Sequence, residues 1–428
     1  MPSGRERLRV LLIAEACNPA WSSVPLVGYN LAQALACRPD LQITVATHVR
    51  NRPMLADSEL AQRASIHYVD NEWLTGPLFR LSKWLRGGTT LSWTTVTALA
   101  WPSYQVFESA LFARFRRQLE AGYFDLIHRV TPLTPTIPSP LAGWVRTPML
   151  LGPLNGGLPW PTEYPELRRQ EREWLTPLRG LYRKMPGYGT CWRHLAGVVA
   201  GSRHTATEIP ADFRGRRFYI PENGIDPTRF PLQGASQPTG KRFRFLTAGR
   251  LVPYKGVDLT LEALAGSSLL RERSELVVIG DGPMRQSLEN QAAAAGLTDC
   301  VRFLGWLPQA ELANQLRTAQ AFAFPSLREF GGGVVLEAMA SGLAPVVVGH
   351  GGPGELVGDC GVVLPLQPRP QLVAGLRQAM ESLVSDPART RALGQAACER
   401  VRNEFTWERK ADRIVAAYRE VLQGDSTR

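Results

Sequence analysis

The 428-residue chain lacks several patterns that identify common classes of protein. Its six cysteines are scattered, with no Cys-x-x-Cys pair and no Cys/His cluster at zinc spacing, which argues against a disulfide framework and a zinc site. No run reaches the roughly 18 apolar residues of a membrane-spanning helix, and the apolar stretch at residues 10–14 is too short for a signal peptide. We therefore expect a first buried strand there, and a cytoplasmic protein, either free or peripheral on the inner face of the membrane.

Lysine is also scarce, so arginine carries most of the net charge of +11. The first 230 residues hold 27 Lys and Arg against 18 Asp and Glu. This basic half predicts an anionic membrane surface, a phosphorylated acceptor or nucleic acid as partner, or an arginine-rich composition without a partner. Because no helix-turn-helix or RNA-binding motif accompanies the charge, we expect no nucleic acid. Residues 79–86 fit either a basic amphipathic helix at an anionic membrane or a helix that packs between domains.

Short apolar runs alternate with helical patterns along the C-terminal half, for example at residues 243–249, 275–280, 301–306, 321–325, 344–349 and 361–365. Such alternation is typical of a parallel sheet covered by helices on both faces. The N-terminal half repeats the theme at residues 9–16, 41–49, 64–70, 123–130, 147–153, 197–202 and 217–224. The predicted fold class is α/β, with two Rossmann-like doubly wound domains facing across a cleft.

A segment rich in Pro, Gly, Ser and Gln at residues 231–242 predicts the link between these domains. We expect an N-terminal acceptor-binding domain at residues 1–235 and a donor-binding domain at residues 236–405. Residues 406–428 are expected to form a C-terminal helix that packs back on the N-terminal domain.

Two cations follow the first predicted strand of the second domain, in the stretch GRLVPYKG at residues 249–256. Arg250 and Lys255 there would lie at the carboxyl edge of a parallel sheet, beside the N-terminus of a helix. Arginine binds a diphosphate with two hydrogen bonds and lysine adds a point charge, so the loop predicts a diphosphate site. The alternative is a pair of solvated loop cations.

Two further strand ends give weaker signals. The stretch IGDGP at residues 279–283 holds Gly280 and Gly282, which allow close backbone approach, although no G-x-G-x-x-G fingerprint occurs in the chain. The stretch FLGW at residues 303–306 offers backbone groups around Leu304 to a flat base.

The stretch REFGGGVVLEAM at residues 328–339 places two glutamates around three glycines, just before a predicted helix. Amides at a helix N-terminus attract anions whereas carboxylates repel them, so Glu329 and Glu337 are predicted to accept hydrogen bonds from hydroxyls of a sugar and a ribose. The alternative for each glutamate is a solvated charge or a capping role at the helix start.

These four stretches together resemble the retaining glycosyltransferases of family 4, which have the GT-B fold. The E-x(7)-E spacing of Glu329 and Glu337, GRLVPYKG, VIGDGP, VRFLGW and LEAMASGLAPVVVGHGGPGELV carry the resemblance across almost the whole C-terminal half. GPLNGG and IPENGID match the N-terminal half more loosely. Two departures are Glu329-Phe330-Gly331 in place of Glu-Gly-Phe-Gly or Glu-Pro-Phe-Gly, and Val27-Gly28 where relatives pair glycines.

The resemblance implies roles for the matching residues. The implied catalytic residues are His128, at the end of a strand and facing the reacting centre, and Arg250, Lys255 and Glu329. The implied donor-binding residues are Gly28 in the loop after the first strand, Gly249, Gly280, Gly282, Leu304, Phe330, Gly331, Gly332, Val334 and Glu337. Asn155 is a candidate acceptor-binding residue. From the residues alone, a histidine at a strand end is more often structural than catalytic.

The expected activity is transfer of a sugar from UDP- or GDP-sugar to a hydroxyl of a sugar, a lipid-linked or a small-molecule acceptor, with retention at the anomeric carbon, in polysaccharide or glycoconjugate synthesis. Alternatives are a sugar-nucleotide epimerase or a glycogen-synthase-like polymerase of the same fold, a natural-product glycosyltransferase, and a non-catalytic protein that binds through its basic face. Because no Asp-x-Asp motif occurs, we expect no metal and no cofactor beyond the donor.

Overall fold

The computed structural model describes residues 7–73, 76–77, 93–170, 180, 182–232, 234 and 242–425. The chain divides into two compact units. Unit 1 comprises Met1–Gly157, Glu171–Glu222 and Trp407–Arg428, and unit 2 comprises Leu158–Gln170 and Asn223–Thr406. Each unit therefore draws on two or more separate stretches of sequence. The predicted basic segment at residues 79–86 lies outside the described residues.

Unit 1 is built on a seven-stranded parallel sheet with the order β3-β2-β1-β4-β5-β6-β7. Its strands are β1 (Leu8–Ala14), β2 (Leu41–His48), β3 (Ser65–Val69), β4 (Leu126–Thr131), β5 (Met149–Leu154), β6 (Gly197–Ala200) and β7 (Arg216–Tyr219). The central strand β1 is fully buried from Val10 to Ala14, because helices cover both faces of a parallel sheet.

The helices of unit 1 are α1 (Val24–Ala36), α2 (Arg52–Leu55), α3 (Glu59–Arg63), α4 (Trp93–Glu120), α6 (Tyr188–His194), α7 (Arg203–Glu208) and α16 (Trp407–Asp425). Short 3-10 turns lie at Val49–Asn51 and Pro140–Gly143. The late helix α16 packs against α1, and an ion pair of 2.6 Å joins Arg38 beyond α1 to Asp412. Ile414, Val415 and Tyr418 bury the apolar face of α16 in the same core as β1.

Unit 2 is built on a six-stranded parallel sheet with the order β10-β9-β8-β11-β12-β13. Its strands are β8 (Phe243–Ala248), β9 (Ser274–Ile279), β10 (Val301–Gly305), β11 (Ala321–Phe324), β12 (Ala344–Val348) and β13 (Val362–Leu364). The apolar runs seen in the sequence become the buried strands β9, β11 and β12.

The helices of unit 2 are α5 (Pro165–Gln170), α8 (Val257–Ala265), α9 (Ser268–Arg273), α10 (Arg285–Ala294), α11 (Gln309–Leu316), α12 (Gly333–Ala340), α13 (Gly352–Val357), α14 (Arg369–Ser385) and α15 (Pro387–Arg400). A 3-10 turn lies at Pro253–Lys255 and a π-helical turn at Val401–Phe405. The segment Leu158–Gln170 belongs to this unit although unit 1 residues precede and follow it.

The predicted fold class, two Rossmann-like doubly wound α/β domains, is confirmed by these two sheets. In both sheets the chain moves outward in one direction and then returns to the centre to move outward in the other. Within the described residues, no helix combines the length and apolar character needed to cross a bilayer.

Candidate functional site

The carboxyl edge of the unit 2 sheet collects the loops in which the sequence predicts a site. β8 and β11 are neighbours in this sheet, and the strands that follow each of them lie on opposite sides. At such a switch point the loops after the two strands separate and leave a crevice beyond the strand ends. The loops after β8 and β11 therefore bracket the crevice that is the usual ligand position in open α/β sheets.

The loop after β8 is held against the loop after β11. Leu251 and Val252 are buried and anchor it, whereas Arg250 is exposed. A Cβ added to Gly256 would lie 2.3 Å from the backbone oxygen of Pro325, so the two loops can touch only because this residue is glycine. The contact places Lys255 beside the residues that follow β11.

Lys255 and Glu329 form an ion pair in which the lysine Nζ donates to Oε2 of the carboxylate. Their side chains are 16% and 18% exposed, so the pair is largely shielded but still reaches solvent. The Lys255 Nζ also lies 4.9 Å from the centre of the Phe324 ring, which favours a cation over its face. Two residues for which the sequence predicts separate roles are thus in direct contact.

Arg250 adds an exposed cation next to this pair. A small concavity at the end of β8 is lined by Thr247, Ala248, Gly249, Arg250, Leu251, Lys255, Val257, Ile279 and Phe324. Its lining is mostly apolar and includes the two cations. Glu329 offsets part of the charge of Lys255, so an anionic ligand would meet the remaining charge of Lys255 together with that of Arg250.

Gly280 and Gly282, which follow β9, must be glycine because of close contacts within the protein. A Cβ on Gly280 would lie 1.9 Å from the backbone oxygen of Gly249, and one on Gly282 would lie 2.4 Å from that of Leu251. Gly280 also donates its N–H to the Gly305 oxygen at 2.7 Å. The close backbone approach predicted here is therefore between the loops after β8, β9 and β10, and it fixes the shape of the β8 loop.

The loop after β11 is held by the loop after β12. The backbone of Glu329 pairs with Gly351, and the Gly352 N–H donates to the Glu329 oxygen at 3.1 Å. Gly332 caps helix α12 with φ of 60°, a left-handed conformation that suits glycine, and Gly331 before it is half-buried. Backbone amides at the start of α12, including that of Val334, follow the glutamate directly.

Glu337 lies in the second turn of α12 and is half-buried. The Gln309 side chain donates from Nε2 to the Glu337 Oε1 at 3.2 Å. Burial raises the pKa of Glu337 to about 7, and the hydrogen bond from Gln309 opposes that rise. A carboxyl group with this pKa changes charge near neutral pH. Leu304 and Trp306, at the end of β10, are exposed, and the indole of Trp306 reaches 72% exposure.

The predicted position of His128 is wrong. β4 continues to Thr131, so His128 lies within the strand, and it is completely buried. Its Nε2 donates to the Gly152 oxygen at 2.6 Å, which leaves Nδ1 to accept from the Tyr418 hydroxyl at 2.7 Å. Burial lowers the pKa of His128 to about 4. The imidazole is neutral and both ring nitrogens bind groups inside unit 1, which describes a structural residue.

The predicted position of Gly28 is also wrong. It lies inside helix α1, which begins at Val24 because Pro25 is accommodated in the first turn. A Cβ on Gly28 would lie 2.2 Å from the Ala16 oxygen, so the glycine lets the helix pack on the backbone after β1. Asn155 is buried, and its Oδ1 accepts from the Gly156 N–H at 2.9 Å. An acceptor contact for Asn155 stays a prediction.

Three further residues, one in unit 1 and two in unit 2, are absent from the sequence predictions. Glu15, the first residue after β1, is half-buried, and burial raises the pKa of its carboxyl group, while Arg50 opposes the rise. Arg328 and Trp160 stack on each other beside the Lys255–Glu329 pair. Glu15 could have been found from its position at a strand end. Nothing in the sequence links Trp160 to Arg328, which lies 168 positions later.

The family profile and the related sequences that match this chain agree with each other. Residues 231–400 match the profile of the family described as "Glycosyl transferases group 1". Glycogen synthase of Mycobacterium tuberculosis is 34% identical over 205 residues, which cover 47% of this chain and 48% of that protein. The chain thus spans about half the length of this relative.

A second relative is matched over more of its length. The GDP-mannose-dependent monoacylated alpha-(1-6)-phosphatidylinositol monomannoside mannosyltransferase of Corynebacterium glutamicum is 32% identical over 263 residues, which cover 53% of this chain and 67% of that protein. Among solved structures, sucrose-phosphate synthase from Thermosynechococcus elongatus matches with a TM-score of 0.67 and 20% identity, covering 98% of this chain and 100% of that one. At this identity the structural match shows the fold, which is GT-B.

Proposed function

Because this chain belongs to the group 1 glycosyl transferases and has the GT-B fold, we propose that it moves a hexose-like sugar from a nucleoside-diphosphate sugar to an acceptor hydroxyl with retention at the anomeric carbon. The single observation that carries the proposal is the Lys255–Glu329 pair beside the exposed Arg250 at the carboxyl edge of the unit 2 sheet. A cation pair for a diphosphate and a carboxylate for sugar hydroxyls are what a sugar donor requires.

The diphosphate is the leaving group of this reaction. As the anomeric bond lengthens, negative charge grows on the phosphate oxygens and positive charge grows on the sugar ring. Arg250 would bind the diphosphate with two hydrogen bonds, and Lys255 would add its charge while Glu329 fixes its direction. Stabilising charge that develops in the transition state is the interaction that raises the rate.

The two glutamates have different roles from the acid and base of a hydrolase. Glu329 would accept hydrogen bonds from hydroxyls of the donor sugar, and Glu337 would accept them from the ribose. Because Glu329 precedes α12 and Glu337 lies in the second turn of that helix, Glu337 can reach a different part of the donor from Glu329. The proton of the acceptor hydroxyl would pass to the departing phosphate oxygen as the new bond forms, so neither glutamate needs to transfer a proton.

A panel of sugar nucleotides tests the proposal. Thermal unfolding with UDP- and GDP-sugars should show a stabilisation of about 2–3 kcal/mol for the true donor at ~100 times its Kd, and less for the others. Absence of a shift for every sugar nucleotide contradicts a donor site. Product analysis without an acceptor then separates an epimerase, which changes the donor itself, from a transferase.

We also propose that the transfer needs no metal ion. The arginine and lysine supply the charge that a divalent cation would otherwise place on the diphosphate. Full activity in excess chelator supports this, and a loss of activity that Mg²⁺ or Mn²⁺ restores contradicts it.

Finally, we propose that the protein works in the cytoplasm and rests on the anionic inner face of the membrane through unit 1. Arg216 in the edge strand β7 and Arg214 just before this strand are exposed. Sedimentation with anionic vesicles, compared with neutral ones, checks the idea, and R214S/R216S should reduce the bound fraction. Equal sedimentation with both kinds of vesicle contradicts it.

A further inference from the structure

The segment that begins at Leu158 lies along the loops of the candidate site in unit 2. The Leu158 oxygen accepts from Nε of Arg328 at 3.1 Å, and the Pro159 oxygen accepts from Nε2 of His350 at 3.3 Å. Further along, the Tyr164 hydroxyl donates to the Gln367 oxygen at 2.9 Å. The segment is thus bonded to residues that follow β11, β12 and β13, which all end at the same edge of the sheet.

Arg328 lies between two aromatic rings. Its guanidinium carbon is 4.3 Å from the centre of the Trp160 ring and 5.0 Å from that of Phe330, and the residue is 7% exposed. A planar guanidinium stacks on aromatic faces, and the interaction strengthens when water is excluded. Arg328 therefore fixes the direction of the backbone on either side of Glu329.

Trp160 also contacts the other loop. Its ring meets that of Tyr254 edge to face, with 6.0 Å between centres and 79° between planes. Tyr254 comes directly before Lys255, as Arg328 comes directly before Glu329. One tryptophan side chain, 8% exposed, thus contacts the residue preceding each member of the ion pair.

A direct backbone link joins the same two loops. The Tyr254 oxygen accepts from the N–H of Leu327 at 2.8 Å and from the hydroxyl of Ser326 at 3.2 Å. These bonds set how far apart the loops lie, while the stacked Trp160 and Arg328 set how each loop is turned. Both are needed because lysine and glutamate have long side chains that lose much rotamer freedom when fixed.

From these contacts we propose that Trp160 and Arg328 are positioning residues, which act through Tyr254 and Phe330 to hold the Lys255–Glu329 pair in the orientation that the donor requires. The inference rests on the proposed function, because the orientation matters only if the pair binds a sugar donor. It also gives the segment Leu158–Gln170 a role in the donor site, although unit 1 residues flank it in the sequence.

The test is a double-mutant cycle on donor turnover. W160F keeps an aromatic ring and R328K keeps the positive charge, but both change the stack, so each should lower kcat/KM for the donor about tenfold. In a Lys255→Ala background the same substitutions should cost less than about twofold, because the pair that they orient is already lost. Equal losses in both backgrounds overturn the proposal.

Matched controls separate positioning from folding. Trp192 is 7% exposed and packs edge to face on Phe213 in unit 1, and Arg217 lies over the same Phe213 ring at 5.8 Å. W192F and R217K should lower the unfolding temperature as much as the site variants do, with unchanged kcat/KM per folded molecule. If these controls reduce turnover as strongly as W160F and R328K, the loss reflects folding and the proposal fails.

A second readout does not depend on turnover. If no sugar nucleotide is consumed by the wild-type protein, the proposed function fails, and the contact network is then tested by thermal unfolding alone. The shifts in Tm for W160F and Glu329→Gln should be non-additive if Trp160 orients the pair. Additive shifts overturn the positioning role.

Discussion

The two units place opposite charges at equivalent points of their sheets. After β8, the central strand on which unit 2 begins, the loop carries Arg250 and Lys255 and no acid before Asp258. After β1, the corresponding strand of unit 1, Glu15 is the only charged residue before Arg38. The topology is shared, and the side chains at the strand ends differ.

The different charges at the two strand ends suit different ligands. Cations at a strand end, next to a helix N-terminus, attract a diphosphate. A half-buried carboxyl group such as that of Glu15, whose pKa is raised by burial, offers no positive charge to a diphosphate and hydrogen-bonds neutral hydroxyls instead. The proposed division between donor and acceptor therefore follows from charge at two equivalent positions, independently of sequence motifs.

The largest expected effect concerns the Lys255–Glu329 pair of unit 2. Lys255→Ala removes a cation that stabilises the developing anion, and Glu329→Ala removes the carboxylate that orients this cation and holds the sugar, so each should lower turnover about a hundredfold or more, which corresponds to ~2.7 kcal/mol or above. Steady-state kinetics measures this. Arg391→Ala, which removes an exposed cation of α15, serves as control and should keep its rate. Rates of Lys255→Ala and Glu329→Ala close to that of the control contradict the assigned site.

The second expected effect is on the stability of the protein and concerns His128. Burial lowers the folded-state pKa of His128 to about 4, below the unfolded value, so the unfolded chain binds the extra proton as pH falls. Wild-type protein should therefore lose about 2 kcal/mol between pH 7 and pH 5 through this group, and His128→Gln should lose less. Denaturant unfolding at both pH values measures it.

Activity at pH 7.5 completes that prediction. Per folded molecule, His128→Gln should keep its turnover within about threefold of wild type, since the imidazole bonds only groups inside unit 1. A hundredfold loss in a folded variant would restore the catalytic role that the sequence suggested.

A smaller effect follows from Glu337. Its pKa is raised to about 7 in the folded protein, so the folded state holds its proton more tightly and stability falls as pH rises from 5 to 8. Glu337→Gln should remove this fall, a gain of about 1 kcal/mol at pH 8 after discounting for partial exposure. Nucleotide affinity should fall in the same variant. Identical pH profiles for variant and wild type contradict the burial of this carboxyl group.

The smallest expected effect concerns Glu15 of unit 1 and the affinity for the nucleotide. Glu15→Gln should leave the Kd for UDP or GDP within about twofold, because the proposed diphosphate site belongs to unit 2. Any change should appear in the KM for the acceptor. Isothermal calorimetry with the nucleoside diphosphate decides, and a tenfold weaker Kd would contradict the division between the units.

Most of the fold was predictable because buried parallel strands leave continuous apolar runs, as at β9 and β12. Lys255 and Glu329 were predictable because both follow such runs at a strand end. The bounds of unit 2 were not, since no change of composition marks Gly157 or Glu222. The stack of Trp160 on Arg328 depends on packing between distant residues, which a local pattern does not record.

The two wrong positions have a common cause. Sequence patterns give the end of a strand to within a few residues, and both errors lie within that margin. Three more residues of β4 turn His128 from an edge residue into a core residue. Gly28, assigned to the loop after the first strand, lies four residues after the start of helix α1 at Val24.

The bond between Tyr418 and His128 joins helix α16 to the centre of the first sheet, 290 positions earlier in the chain. During synthesis, a ribosome moving at roughly 5–20 residues per second exposes all seven strands of that sheet well before α16 emerges. Unit 2 is released in the meantime and can complete its own core. Until α16 is synthesised, the apolar surface of the first sheet that Ile414 and Val415 later cover therefore stays exposed, and chaperones can bind it.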